Sequence, residues 1–221
     1  MHLKSPLIND ILQRKPGWTD DIGAYRRAFR HLPRLVGQKV ALRAPRLSDA
    51  RAFYAYASDK RMCRYVLWDA HSSLWDSRRA LLSMIAAHKQ GDPATFAIEH
   101  LQEGIMVGTI GFQWIDCQSG HCEVGYSIAR RLWNQGLASE ALKLLVNYAF
   151  TALPLQRVQA RYDVDNPASG RVMLRAGMQE EGIAEQSQSI RGRMADMMCC
   201  AILRTQWEAG QGALCNTDSK L

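Results

Sequence analysis

Apolar residues recur every three or four positions in some stretches of this chain and every second position in others, and the change of period marks its elements. Ile22, Tyr25, Ala28, Phe29 and Leu32 recur at helical spacing, with Thr19 or Asp20 before them as a cap and Pro33 after them as a stop. Lys39 to Arg43 alternates like a strand, with Val40 and Leu42 on one face. Ser48-Asp49 opens a helix that carries Ala52, Phe53 and Tyr56 along one side. A further helix starts near Ser72-Ser73 with Asp76 in its first turn. It runs through Leu81, Leu82, Ile85 and Ala86 and closes at Gly91-Asp92-Pro93.

The middle of the chain is strand-rich. Residues 95–100, 105–114 and 122–129 read as three strands, with turns at 102–104 and 116–120. Gly108 and Gly111 mark bulges or close backbone approaches. The period then switches to a helix over 139–150, a β-branched strand over 156–164, and a short helix over 167–176. That helix has Pro167 in its first turn and Gly177 at its end. Two more strands follow, over 183–190 and 197–204. The order β-α-α-β-β-β-α-β-α-β-β predicts antiparallel hairpins leading into a strand–helix–strand unit, which is a mixed sheet flanked by helices. We divide the chain into an N-terminal arm (1–36), a catalytic-size domain (37–208) and a tail (209–221). The arm cannot bury its apolar face alone, so it must pack on the domain or on a second subunit.

Composition narrows the class. The chain has 221 residues, 47% of them hydrophobic and 22% charged, which excludes a disordered chain, a collagen-like chain and a coiled coil. No apolar run approaches the ~20 residues that span a bilayer. Asn9, Asp10, Gln13 and Arg14 interrupt the apolar residues near the start, so no signal-peptide core is expected. The formal charge is +7, and residues 1–40 hold eight basic residues against three acidic ones. Such an arm either attracts a phosphate-rich partner, a ribosome, RNA or nucleotide, or is a solvated helical face. Six cysteines without CxxC spacing point to free thiols in a reducing cytoplasm. Cys117, His121 and Cys122 lack a fourth ligand at usable spacing, so no metal site is expected.

The chemistry concentrates in residues 123–141, EVGYSIARRLWNQGLASEA. A strand runs into the loop Trp133-Asn134-Gln135-Gly136-Leu137-Ala138, and Ser139 and Glu140 then open a helix. Small residues at Gly136 and Ala138 let backbone approach a ligand, and the helix's first N–H groups point into the same loop. Together they suit a pyrophosphate, with Arg130 and Arg131 adding positive charge. The loop is neither a P-loop, because no GK[ST] ending follows, nor a dinucleotide fingerprint, because it has one glycine. Read alone it is equally an ordinary helix cap.

The ordered set of neighbouring motifs resembles the GNAT family of acyl-CoA N-acyltransferases, and within it the ribosomal-protein N-terminal acetyltransferases of the Rim type. Trp133 to Ala141 is similar to that branch's WGxGxASEA, with Asn134 in place of a glycine. Glu123-Val124-Gly125-Tyr126 is similar to its EIGY. Asp165-Asn166-Pro167-Ala168-Ser169-Gly170-Arg171-Val172 is similar to its DNxxSxRV, and Gly177-Met178 stands where the family has GF. Glu181-Gly182 and the pair Gly192 and Asp196 also fit, so the resemblance spans roughly residues 36–208.

The resemblance implies an α+β fold: a mixed, mostly antiparallel twisted sheet of six to seven strands flanked by four helices, with the N-terminal helical arm added. It implies acetyl-CoA as acyl donor and no metal. Backbone N–H groups of Gln135, Gly136, Leu137, Ala138 and Ser139 would hold the pyrophosphate, with Arg131, Trp133 and Asn134 beside them. The strand at Ser127, Ile128 and Ala129 would pair with the pantetheine amides, in a gap opened against residues 156–164. Asn166 would bind the pantetheine arm, unless it forms a local turn before Pro167. Glu123 would be the general base, its alternative being a structural carboxylate paired with an arginine such as Arg161. Ser169 would donate to the departing thiolate, its alternative being a helix-first-turn serine. Many relatives place a tyrosine near the end of that helix, where this chain has Met173. A backbone N–H of the 123–129 strand would hold the oxyanion.

The acceptor is an amine, either a peptide N-terminus or a small molecule such as a polyamine, amino acid or antibiotic. Trp68, Trp75 and Trp114 are candidates for lining its pocket or are core residues. A non-catalytic acyl-CoA or RNA-binding module is the remaining reading. A homodimer is compatible with the apolar face of the arm, and no membrane contact is expected.

Overall fold

The computed structural model describes residues 21–215. The caps expected at Thr19 and Asp20 lie outside its described side chains, as do most of the basic arm and the end of the tail. Among the described residues there are six α-helices and eight strands: α1 (Asp21–Arg30), β1 (Leu35–Val36), β2 (Val40–Arg43), α2 (Ala50–Ala57), α3 (Leu74–Gln90), β3 (Thr95–His100), β4 (Ile105–Asp116), β5 (His121–Ile128), α4 (Leu137–Ala152), β6 (Arg157–Asp163), α5 (Pro167–Arg175), β7 (Gln179–Ile190), β8 (Arg193–Leu203) and α6 (Arg204–Cys215). The sheet order is β1-β2-β3-β4-β5-β6-β8-β7, and β5–β6 is its parallel pair. The sheet thus has one strand more than expected, the two-residue β1, and α6 follows β8 directly.

Local chemistry fixes the elements. α3 starts on a reciprocal capping box: the Asp76 N–H donates to Ser73 Oγ at 3.3 Å, and the Ser73 N–H donates to Asp76 Oδ2 at 3.0 Å. It ends where Gly91 turns left-handed at φ 76°. In β4, a Cβ at Gly108 would lie 2.3 Å from the Ser127 carbonyl oxygen, and one at Gly111 would lie 2.4 Å from that of Ala94. Both glycines are close-approach positions. The bulges fall beside them, at Val107 and Gln113, where the register shifts.

The sheet carries helices on both faces. Leu142 and Leu145 of α4 are fully buried, each contributing roughly 1.5–3 kcal/mol relative to exposure. Tyr148 of α4 meets Phe96 of β3 edge-on at 5.6 Å. On the same face α1 buries Tyr25 and Phe29 in the main core. Phe29 packs on Phe112, and the Tyr148 hydroxyl donates to the Ala28 carbonyl at 3.2 Å. The apolar side of α1 is therefore covered by the domain itself. On the other face, Tyr56 of α2 is buried beside Thr109 and Ser127.

One joint positions the site. β5 and β6 are paired at only three rungs, His121 with Arg157, Cys122 with Val158 and Glu123 with Gln159. Beyond Glu123, β5 stays paired with β4 as far as Ile128, while β6 stays paired with β8 as far as Asp163. A wedge-shaped gap opens between them.

Candidate active site

The β5 edge of the gap can be read from alternation. In an antiparallel pair, successive residues send their N–H and C=O to opposite sides. The Ala129 N–H donates to the Val107 carbonyl at 2.8 Å, and the Ala129 carbonyl accepts from Leu132 at 2.9 Å. The backbone groups of Ser127 therefore face β4, and those of Val124, Tyr126 and Ile128 face the gap. Of the three residues expected to pair with pantetheine, Ile128 is the one turned that way. Ser127 instead buries its hydroxyl against Thr109 at 3.0 Å. Tyr126 has the backbone orientation that Ser127 and Ala129 lack.

The loop after β5 bends back on that edge. The Trp133 indole N–H donates to the Ile128 carbonyl at 3.0 Å. Asn134 takes φ 61° and Gly136 φ 83°, so two left-handed residues turn the chain into α4. Asn134 adopts the conformation that a glycine would accept at no cost. No side chain caps α4. Its first N–H groups, on Leu137, Ala138 and Ser139, thus lack the partner that a serine or aspartate at the cap would supply. The Ser139 hydroxyl is buried and has no hydrogen-bond partner among the described residues. An uncapped helix start beside an orphaned buried hydroxyl has the chemistry of an anion site.

Positive charge near this loop is arranged differently from the expectation. Arg131 makes a forked ion pair with Glu103, and Arg130 pairs with Asp59 at 2.6 Å. The Lys39 ammonium lies closer to the loop, donating to the Gln135 carbonyl at 3.3 Å. Glu140 does not cap its own helix. Its Oε1 accepts the N–H of Lys39 at 2.8 Å and ties the start of β2 to α4. Gly37 makes room, since a Cβ there would lie 2.1 Å from that oxygen.

Glu123 stands at the vertex, on the last paired rung. Its two oxygens accept from Arg161 at 2.9 and 3.0 Å, and Oε2 also accepts from Gln159 at 3.0 Å. The carboxylate is buried, and three donors converge on it. Asn166 precedes Pro167 at the start of α5, and its side chain makes no capping bond. The local turn there belongs to Asp163, whose Oδ1 accepts the Asp165 N–H at 3.0 Å.

Ser169 lies in the first turn of α5 and is not solitary. The Tyr126 phenol oxygen is 2.8 Å from Ser169 Oγ and 2.9 Å from the Ser169 carbonyl. Burial pushes the Tyr126 phenol well above its ordinary range, only partly offset by the Ser169 hydrogen bond. Met173, one turn further along, is buried and brings no hydroxyl. Tyr126 and Ser169 are 43 positions apart in the sequence, so no local pattern pairs them, and only the sheet geometry brings them together.

The loop before α3 is clasped by the β7–β8 hairpin. Arg191, at φ 51°, donates to the carbonyls of Cys63 (3.1 Å) and Trp68 (2.7 Å) and pairs with Asp69 at 2.9 Å. The Tyr65 hydroxyl donates to the Asp165 carbonyl at 3.0 Å, which joins the same loop to the start of α5. Trp68 is half-buried in this loop, Trp114 is half-buried opposite Glu123, and Trp75 is exposed.

Comparison with known proteins follows the same lines. Residues 39–179 match the family model described as the acetyltransferase (GNAT) domain. An N-acetyltransferase of Bacillus subtilis, YoaA, is 30% identical over 172 residues, covering 78% of this chain and 97% of that protein. The [ribosomal protein uS5]-alanine N-acetyltransferase of Escherichia coli is 29% identical over 142 residues, covering 64% of this chain and 72% of that enzyme. The crystal structure of a GNAT-family acetyltransferase from Bacillus anthracis superposes with a TM-score of 0.70 at 25% identity, covering 78% and 99% of the two chains.

Proposed function

The chain belongs to the GNAT acetyltransferase family and is an N-acetyltransferase, and we propose that it moves the acetyl group of acetyl-CoA onto the α-amine of a protein N-terminus. The observation that carries this reading is the end of β5–β6 pairing at Glu123 and Gln159. It leaves a strand edge open beside an uncapped helix start. Pantetheine is an amide chain and can pair along Tyr126 and Ile128 as an added strand. Its diphosphate then meets the N–H groups of Gly136 to Ser139, the Ser139 hydroxyl and Lys39. Arg131 reaches it by leaving Glu103, and Trp133 and Asn134 shape the turn. Asn166 offers its free amide to the pantetheine arm.

The chemistry follows from the same edges. An N-terminal amine titrates near pH ~7.7–8.0 and a lysine near ~10.4, so the α-amine has far more of the neutral form that can attack. The nitrogen lone pair adds to the thioester carbon, and the oxyanion meets a gap-facing N–H of β5. The C–S bond then breaks with its electron pair on sulfur, and Ser169 donates a hydrogen bond to the thiolate. The amine's proton leaves through water to Glu123, on the lone pair that Arg161 and Gln159 do not occupy.

Three observations favour a peptide over a polycation. The buried carboxylates near the gap, Glu123 and Asp163, are each neutralised by an arginine, Arg161 and Arg193, which leaves no buried anionic pocket of their own for a polyamine. Relatives bear names of ribosomal-protein acetyltransferases. The basic segment 1–40 fits an RNA-bound acceptor. The free thiols of Cys63, Cys122, Cys199 and Cys200 fit a cytoplasmic setting.

The test is CoA release from acetyl-CoA with peptides of varied N-termini, polyamines, aminoglycosides and free amino acids. The expected result is turnover confined to peptides. Turnover confined to polyamines or aminoglycosides overturns the acceptor assignment, and release with none of them overturns the reaction.

A further inference from the structure

The Tyr126–Ser169 contact joins two hydroxyls and one carbonyl, and their hydrogens can be counted. The phenol has one hydrogen. If it points at the Ser169 carbonyl, the Tyr126 lone pairs face Ser169 Oγ, and the serine hydrogen turns back onto the phenol. If the phenol hydrogen points at Ser169 Oγ, the serine's own hydrogen is free to leave the pair and enter the gap. Both partners are within reach, at 2.9 and 2.8 Å. The second arrangement commits the serine oxygen as acceptor from the phenol and leaves its own hydrogen for a sulfur atom, whereas in the first the phenol competes for that hydrogen.

We infer that Tyr126 is a positioning residue that holds Ser169 as a donor aimed at the coenzyme sulfur, and that the pair switches to this arrangement as negative charge grows on that atom. The inference rests on the reading of Ser169 as the thiolate's donor. A chain of the form phenol O–H to serine O–H to thiolate strengthens along its length, because each donor polarises the next. Burial keeps the phenol protonated, so it remains a donor at every working pH. Without Tyr126 the Ser169 hydroxyl loses this neighbour, and its hydrogen is free to turn onto a nearby backbone carbonyl instead.

No proton crosses the pair. The C–S electron pair stays on sulfur, the serine keeps its hydrogen in a hydrogen bond, and the thiolate is protonated by solvent after release. Ser169 need not form an alkoxide nor Tyr126 a phenolate, each of which burial would penalise.

The experiment reads the thiolate directly and needs no acceptor. Free CoA is bound to the full chain, and its thiol is titrated by thiolate ultraviolet absorbance in wild type, Tyr126→Phe and Ser169→Ala. The expected result is a bound thiol pKa below that of free CoA in wild type, raised by roughly one unit in both variants. In a separate assay with a peptide acceptor, the kcat for acetyl transfer falls about 10-fold in Tyr126→Phe while KM for acetyl-CoA changes less than ~3-fold. Fluorotyrosine at position 126, a stronger donor of the same shape, lowers the bound thiol pKa further, which a merely structural phenol would not do. A thiol pKa raised in Ser169→Ala but unmoved by Tyr126→Phe and by fluorotyrosine overturns the inference and leaves Ser169 in place. A pKa unmoved by all three overturns the reading of Ser169 as well. Should Tyr126→Phe not fold, fluorotyrosine alone decides the first question.

Discussion

The Arg161 guanidinium grips both carboxylate oxygens of Glu123, at 2.9 and 3.0 Å, on the last rung that joins β5 to β6. The carboxylate proposed to take the amine's proton is therefore also the clasp that sets where the strands part. Glu123→Gln keeps the shape and removes the charge. We expect kcat to fall ~100-fold or more if the carboxylate accepts the proton. Stability should fall by roughly 1–3 kcal/mol, because the partly exposed Arg161 loses a buried charged partner. Steady-state kinetics beside calorimetric unfolding separates the two losses. A variant that is destabilised but retains kcat within ~3-fold assigns Glu123 to the clasp alone.

Ser139→Ala separates binding from folding by sign. The hydroxyl is buried without a partner, so its removal relieves an unsatisfied group and leaves the free protein as stable or slightly more so. If the hydroxyl serves the diphosphate, acetyl-CoA binds roughly 5–10-fold more weakly. Titration calorimetry gives the second number and thermal unfolding the first. An unchanged Kd removes Ser139 from the phosphate site.

The charged cluster on β2 and β3 predicts acid sensitivity. Burial alone would raise the Glu99 carboxyl, but hydrogen bonds and charge from Arg34 and Arg43 outweigh it and hold it below the usual glutamate range. A carboxyl whose folded pKa is depressed adds stability that is complete above its unfolded value, about 4.3, and is lost as pH falls through the folded value. The Tm should thus be flat above that pH and drop below it. Glu99→Gln should lower Tm at neutral pH and flatten the drop. An equal acid drop in the variant would place the sensitivity elsewhere.

Much of this architecture is local and therefore legible in the sequence. The Ser73–Asp76 cap, the Gly91 stop and the short apolar run Phe96–Ile98 within Thr95–His100 each depend on neighbours within a few residues. What stayed hidden depends on distant partners. Two residues of β1 are too few to carry a period. α6 holds Gly210 and Gly212, which weaken its helical signal. It is stabilised by Trp207, which packs on Phe150 and donates to Asn147 at 2.7 Å. In the site, the pyrophosphate loop was readable because glycine, small residues and helix start are consecutive. The partners of Arg130 and Arg131 were not, because Asp59 and Glu103 are 71 and 28 positions away. The orientation of Ser127, Ile128 and Ala129 required knowing which groups β4 already occupies.

The central claim, acetyl transfer to a protein N-terminus within the β5–β6 gap, is tested most directly by locating the acetyl group. Peptides with a free N-terminus and one internal lysine are incubated with acetyl-CoA and the enzyme, beside the same peptides with a blocked N-terminus, and sequenced by mass spectrometry. The account predicts acetyl on the α-amine, none on the lysine, and no product from the blocked peptides. Acetyl on the lysine of blocked peptides, or no product while acetyl-CoA binds, would contradict it.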